Sequence, residues 1–265
     1  MEMVAASKMR RAEERVRSAR PYAAKLAEVI GGLYSPELTA EFPILRQPEA
    51  ISRSALILLT SNRGLAGGFN VNLVRRAREV TEELRGDGVD VELHVVGRKG
   101  ISSLRFRGYE LAAARQDITD RPTMEDAHSL VDDLLERFAG GELDQIDVVY
   151  AHFKSAMTTP PVRMRILPIE PPQGPARTVT NYLFEPSAEE ILTFVLPLYV
   201  RNAVFRALVE TAAAEQGARR TAMKNATDNA DDLVKNLTLE YNKARQTSIT
   251  QELTEIVGGA EALRG

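Results

Sequence analysis

The stretch AMKNATDNADDLVKNLTLEYNKARQTSITQELTEIVGGA, residues 222–260, decides the fold. No proline follows Pro197, and from Glu189 onward Ala, Leu, Glu, Lys, Arg and Gln dominate, which predicts one helix running nearly to the end. Over about 60 residues such a helix would measure roughly 90 Å at 1.5 Å per residue, several times the usual length. It is too long to be buried in a domain of its own. Its apolar positions form a seam of Met223, Ala226, Ala230, Leu233, Leu237, Tyr241 and Ala244, followed after a five-residue step by Ile249, Leu253, Ile256, Ala260 and Leu263. A seam with this spacing belongs to a helix packed along another helix, and on that reading Ile249 and Leu253 are expected to be buried.

A matching seam opens the chain. Ala5, Met9, Ala12, Val16, Ala19, Ala23, Leu26, Ile30 and Leu33 follow a 4-3-4-3 spacing, with Lys8, Arg10, Arg11, Glu13, Glu14, Arg15 and Arg17 on the other faces. The many alanines let a partner helix come close. Pro21 predicts a local kink, and Gly31, Gly32 and Pro36 mark the end.

Between the two helices the pattern changes to short apolar runs alternating with amphipathic stretches. SALILLT (54–60), VDVELHVV (89–96) and IDVVYAHF (146–153) read as strands, with helices over 70–85 and 123–138. VRMRILPI (162–169) alternates apolar residues with arginine, as an edge strand does. PPQGPARTVT (171–180) is a linker. The expected organisation is a shaft helix over 1–35, a globular α/β domain over 50–170, a linker and foot over 171–187, and a long shaft helix over 188–265. The two terminal helices would pair in an antiparallel coiled coil with the α/β domain inserted between them. A projecting pair of helices has no cleft from which water is excluded, so it suits docking or mechanics better than chemistry.

Composition narrows the function. The chain has 265 residues, 34 Lys and Arg against 37 Asp and Glu, and a net charge of -3, which gives no basic footprint for nucleic acid. No apolar run approaches the roughly 20 residues of a membrane-spanning helix, so direct lipid insertion is not expected. There is no cysteine, which removes disulfides, thiolate nucleophiles and most structural zinc sites, and only three histidines, well apart. No metal or cofactor is expected.

SNRGLAGGFN (61–70) lies between a strand and a helix, where phosphate-binding loops sit. Its G-x-x-G-G spacing matches neither the dinucleotide nor the P-loop pattern, which favours a tight turn over a ligand site. Asp132 with Asp133, and Asp231 with Asp232, are adjacent on helices and point about 100° apart, so they read as solvated surface and not as an acid/base pair. The last helix instead carries an unusual density of amides and hydroxyls, including Asn225, Asn229, Gln246, Thr247, Thr250 and Gln251. Such residues can hydrogen-bond a surrounding protein surface without anchoring to it.

With these residues in view, the sequence resembles the gamma subunits of F-type proton-translocating ATP synthases. ITQELTEIVGGA (249–260) carries the strongest likeness, joined in family order by MEMVAASKMRRA (1–12), SNRGLAGGFN, YLFEP (182–186), AMKNATDNA (222–230) and YNKARQ (241–246). The likeness covers essentially the whole chain. It implies a coiled coil with an inserted Rossmann-like α/β domain, acting as the central rotor between a ring of alpha and beta subunits and a membrane ring of c subunits, with an epsilon subunit at the foot. Proton flow would turn the shaft, and the shaft would drive three beta-subunit sites through different affinities while making no bond itself.

The resemblance also implies roles for residues. Arg219, Gln246, Thr250, Glu252 and Met1 fall at positions that contact beta subunits, and Tyr182, Phe184 and Glu185 match the foot that faces the c ring and epsilon. It implies a peripheral complex on the cytoplasmic face of the bacterial inner membrane. Two positions depart from the family, which usually has Asp at Asn62 and often Cys at Ala66. Helical turns also commonly precede the MEMVAASKM motif in the family. Thiol regulation is not expected. Two other classes are compatible with the residues alone: a nucleotide- or sugar-phosphate-binding α/β enzyme with a coiled-coil oligomerisation arm, and a structural coiled-coil adaptor.

Overall fold

SALILLT and IDVVYAHF become two adjacent central strands because nearly every side chain along them is apolar and can be buried on both faces. The computed structural model describes residues 2–33, 42–155, 157–169 and 188–263. In chain order the elements are helix α1 (Glu2–Leu33), a 3-10 turn (Pro43–Leu45), β1 (Arg53–Leu59), α2 (Phe69–Gly86), β2 (Asp90–Val96), α3 (Arg98–Phe106), β3 (Ala113–Arg115), α4 (Met124–Ala139), β4 (Gln145–Ala151), β5 (Pro161–Leu167) and α5 (Ala188–Ala262). The strands and helices expected between the two terminal helices match to within two residues at each end. The short elements α3 and β3 were not expected from the sequence.

The sheet has the order β3-β2-β1-β4-β5. β1 pairs in parallel with β2 and β4, β2 pairs in parallel with β3, and β5 runs antiparallel to β4 at the edge. This is a parallel-dominated α/β sheet with a long C-terminal helix, the fold class expected. Two core layers sandwich it. Ala55, Ile57 and Leu59 point toward α4 (Val131, Leu134, Phe138) and toward α5 (Leu192, Leu196, Val200, Val204, Ala207, Leu208). Leu56 and Leu58 point the other way, toward α2 (Leu73, Val74, Ala77, Val80) and α3 (Ile101, Leu104). Each fully buried Leu or Val contributes about 1.5–3 kcal/mol, so these two layers dominate the stabilisation.

Local signals set the ends. Thr123 begins α4 with a reciprocal cap, in which its hydroxyl accepts from Asp126 N–H (3.2 Å) and its own N–H donates to the Asp126 carboxyl (2.7 Å). Gly97 opens α3 at φ +97°, and a Cβ there would lie 2.2 Å from the Thr60 carbonyl oxygen, so only glycine fits.

The chain divides into two compact units, residues 1–221 and 222–265. In the first, α1 buries the expected seam positions Ala5, Met9, Val16 and Leu26. Val16 shares a core layer with Val209, Ala213 and Ala214 of α5, and Lys8, Arg11, Ala12, Arg15 and Gln216 line one small cleft. The second unit is a single helix up to Ala262. Here one expectation fails: Ile249 is 48% exposed and Leu253 58%, and Leu233, Leu237, Tyr241 and Ile256 are exposed as well. The reason is that a unit made of one helix holds no second element over its own seam.

Candidate functional site

Two surfaces of the second unit run along α5. Lys243, Gln246, Thr247, Thr250, Gln251, Thr254 and Glu255 line a shallow groove of polar residues whose aliphatic carbons make up most of its surface. Their spacing of three and four residues places them on one face. The hydroxyls of Thr247, Thr250 and Thr254 donate to carbonyls one turn back, at 3.0, 2.8 and 2.8 Å, and Gln251 donates to Glu255 (3.0 Å). Thr hydroxyls bonded in this way keep acceptor lone pairs for a partner. In the apolar stripe of Ile249, Leu253, Ile256 and Val257, the first and third residues lie roughly 150° around the helix from the groove's midline at 100° per residue, and Leu253 and Val257 border Gln246. All four side chains of the stripe are exposed. The helix therefore offers two chemically different faces and no enclosed space for a reaction.

In the first unit α5 is seated on the sheet by polar contacts as well as apolar ones. Arg201 donates through Nε (2.8 Å) and Nη2 (2.9 Å) to the two carboxyl oxygens of Asp132 on α4, so Asp132 is an ion-pair partner and not the solvated surface residue expected. Glu210 is buried, and its Oε2 accepts from Phe153 N–H (3.1 Å) and lies 2.6 Å from His152 Nδ1. Thr211 Oγ1 accepts from Ala151 N–H at 3.4 Å. Two turns further, Arg219 donates to Glu215 (2.5 Å) and to the Gly64 carbonyl (3.3 Å). Burial pushes the Glu215 carboxyl above its ordinary range even with Arg219 beside it.

The glycine-rich run 61–70 sits at the carboxyl end of β1, where open parallel sheets bind ligands. Its polar groups are bonded within the turn and to neighbouring loops. Ser61 N–H donates to Asn70 Oδ1 (3.0 Å) and the Ser61 hydroxyl to the Arg63 carbonyl (2.7 Å). Asn62 donates to the Gln116 and Ile118 carbonyls at 2.9 Å each and accepts from Arg98 N–H (2.9 Å). Leu65 (φ +63°) and Gly67 (φ +56°) supply the tight backbone. A cleft of about 290 Å³ beside it is lined by Thr60, Arg63, Thr119, Asp120, Glu215 and Gln216 among others. Both of its acids are already paired, Asp120 with Lys8 at 2.8 Å and Glu215 with Arg219. The Lys8 hydrogen bond holds the Asp120 carboxyl below its usual range. The turn reading of this loop fits these contacts better than a phosphate cradle. Among the described residues no three His, Cys, Asp or Glu side chains gather as metal ligands would.

Of the residues singled out from the sequence, Gln246, Thr250 and Glu252 lie on the exposed helix of the second unit, and Gln246 and Thr250 share the polar groove. Arg219 is in the first unit, bonded to Glu215 and Gly64. Met1, Tyr182, Phe184 and Glu185 lie outside the described residues. The anchoring residues Arg201 and Glu210 carried no sequence signal, because a lone charge in an apolar helix does not reveal which strand or helix it faces.

The ATP synthase family model matches residues 1–263. The chain is 53% identical to the ATP synthase gamma chain of Gemmatimonas aurantiaca over 267 residues, covering all of this chain and 92% of that one. It is 43% identical to the gamma chain of Frankia casuarinae, covering 99% and 91%. Among solved structures, a chain of the central stalk and c ring of Tetrahymena thermophila mitochondrial ATP synthase aligns with a TM-score of 0.66 at 26% identity, over 86% of this chain and 97% of that one. A chain of Euglena gracilis mitochondrial ATP synthase shares the fold, with a TM-score of 0.59 at 18% identity, over 99% and 94%. With a family model spanning both helices and the sheet, and relatives alike over nearly their whole length, the chain belongs to the ATP synthase gamma-chain family.

Proposed function

We propose that this chain is the central rotor of a proton-translocating ATP synthase, coupling rotation of a membrane c-subunit ring to ATP synthesis or hydrolysis at beta-subunit sites. The observation that carries the reading is the second unit: a helix with an apolar seam and a polar groove both exposed, and no cleft of its own. Such a surface is suited to being surrounded. Its relatives include ATP synthase gamma chains, and one structural neighbour belongs to a central stalk with a c ring.

The two faces of α5 suggest how turning becomes chemistry elsewhere. A surrounding subunit that meets Gln246 and Thr250 in one shaft orientation meets Ile249 and Ile256 in another, and Glu252 lies on the far side of that apolar stripe at 100° per residue. Each orientation then stabilises a different conformation of that subunit, and the difference in contact energy is the coupling. In this reading the chain is non-catalytic, and bond making belongs to its partners. Arg219, with five N–H donors, can hold Glu215 and Gly64 and still offer a hydrogen bond to a beta subunit. Met1 would lie near a beta subunit, and Tyr182, Phe184 and Glu185 would form the foot on the c ring and epsilon. The complex would sit peripherally on the cytoplasmic face of the bacterial inner membrane.

The test is single-molecule rotation of this chain reconstituted with cognate alpha and beta subunits. Stepwise ATP-driven rotation is expected. A well-formed alpha/beta ring that contains the chain, hydrolyses ATP and never turns it would overturn the reading.

A further inference from the structure

The seat of α5 on the sheet contains a group that stability alone does not call for. Glu210 is 2% exposed and lies within a run of buried apolar positions, after Val200, Val204, Ala207 and Leu208 and before Ala213 and Ala214. An apolar side chain there would avoid the cost of desolvating a carboxyl, and replacing buried polar pairs with apolar residues is often neutral or stabilising. What a buried hydrogen-bonded carboxyl supplies is register. Its Oε2 accepts from Phe153 N–H (3.1 Å) and meets His152 Nδ1 (2.6 Å), while the neighbouring Thr211 Oγ1 accepts from Ala151 N–H (3.4 Å). All of these partners lie at or just past the end of β4, which is held between β1 and β5.

We propose that Glu210 is a positioning residue that keys the shaft helix to the α/β domain against rolling about its own axis. The proposal rests on the rotor reading, in which torque passes between that domain and α5. Apolar contacts resist such a roll weakly, since they are non-directional and the surface of α5 is Val, Leu and Ala on several sides. A roll that withdraws Oε2 from Phe153 N–H and His152 leaves the buried carboxyl with only Arg206 of its own helix, 3.9 Å from Oε1 and too far for a hydrogen bond, which is costly. Arg201 with Asp132 adds a second directional contact nine residues earlier, but on a surface about one-third exposed, where water can replace it.

Because the chain has no cysteine, Phe106→Cys creates a unique attachment point on α3, where Phe106 is 90% exposed. A bead attached there reports rotation of the α/β domain in the reconstituted alpha/beta complex, while ATP turnover reports the shaft inside the ring. At low viscous load Glu210→Ala is expected to match the unaltered chain within about twofold in both readouts. Under rising load it is expected to consume at least about twice the ATP per revolution, with Glu210→Gln closer to the unaltered chain because its amide oxygen still accepts from Phe153 N–H. Equal ATP per revolution in Glu210→Ala and the unaltered chain at every load would overturn the key. If Glu210→Ala does not assemble, His152→Ala removes one partner at a partly exposed position. Slippage in it at intermediate load supports the proposal, and unaltered load behaviour overturns it. Failure of the unaltered chain to rotate would overturn the rotor reading, and this proposal with it.

Discussion

Asp132 and Arg201 meet through a two-point fork, each carboxyl oxygen accepting one guanidinium N–H at 2.8 or 2.9 Å, and the pair fastens α5 to α4. Both side chains are about one-third exposed, which keeps the pair's contribution near that of good surface pairs, about 0.5–1 kcal/mol. In a double-mutant cycle with Asp132→Ala and Arg201→Ala, urea unfolding of the full chain should return a coupling of that size, reduced at about 1 M salt. Arg201→Lys should lose most of it, because a single ammonium cannot reproduce the fork. A coupling indistinguishable from zero at low salt would show that the fork does not hold the helices together.

Gly97 and Gly86 give a contrast in backbone demand. At Gly97 an added Cβ would meet the Thr60 carbonyl oxygen at 2.2 Å with φ at +97°, whereas at Gly86 nothing lies within 4 Å. Gly97→Ala is expected to destabilise by about 3 kcal/mol or more, through strain combined with displacement of the strand-to-helix turn. Gly86→Ala, at the last position of α2, should be neutral or stabilise by up to about 1 kcal/mol. Thermal melts of the two variants decide the point, and similar midpoints would contradict it.

These glycines also mark where the sequence was readable. The strands β1 and β4 were legible because uninterrupted Leu, Ile and Val can only be buried on both faces, and β5 because Arg163 and Arg165 alternate with Val162, Met164 and Ile166. The α1 seam was legible at Ala5, Met9, Val16 and Leu26. β3 was not, because three residues, Ala-Ala-Arg, carry no periodicity. Nor were Glu210 and Asp147, buried acids whose partners Phe153 and Arg163 are set by tertiary packing. The seam of 222–263 is apolar, as its spacing implies, but exposed in the chain by itself, since periodicity shows which face is apolar and not what covers it. Of the candidate contacts, Gln246 and Thr250 were visible because amides and hydroxyls are poor value to an isolated helix.

Glu215 sets a pH dependence. Burial raises its carboxyl above the ordinary value of 4.5, opposed by the Arg219 hydrogen bond. The folded state therefore holds this proton more tightly than the unfolded chain does. The corresponding stabilisation is fully present below 4.5 and is lost as pH rises through the raised folded value. Glu215→Gln cannot ionise and still offers Arg219 an acceptor. Compared at about pH 5 and about pH 8 by urea unfolding, the variant should gain on the unaltered chain at the higher pH. A stability difference that is the same at both pH values would remove Glu215 from the pH dependence.

Gln246 lies in the exposed polar groove, so Gln246→Ala should leave the stability of the isolated chain within about 0.5 kcal/mol. Its effect is expected in the assembled complex, as a several-fold loss of ATP turnover at unchanged subunit stoichiometry. Equal losses in stability and turnover would assign the residue to folding instead of to partner contact.

Ile249 and Leu253 separate the helix's own folding from its assembly. Their side chains are 48% and 58% exposed, so an aspartate at either position remains hydrated in the isolated chain. Ile249→Asp and Leu253→Asp should therefore shift its unfolding by less than about 1 kcal/mol, mostly through helix propensity. Once a partner covers the stripe, the same carboxyl must be desolvated without a counterion, which costs several kcal/mol in a closely packed site. Reconstitution with alpha and beta subunits, followed by size-exclusion chromatography, should show assembly reduced by at least about tenfold at limiting concentration, corresponding to about 1.4 kcal/mol. A mild effect on folding together with a severe effect on assembly would place this stripe inside the ring. Assembly at the unaltered level would mean that the apolar seam of residues 249–256 faces water in the complex too, leaving the polar groove to carry the contact.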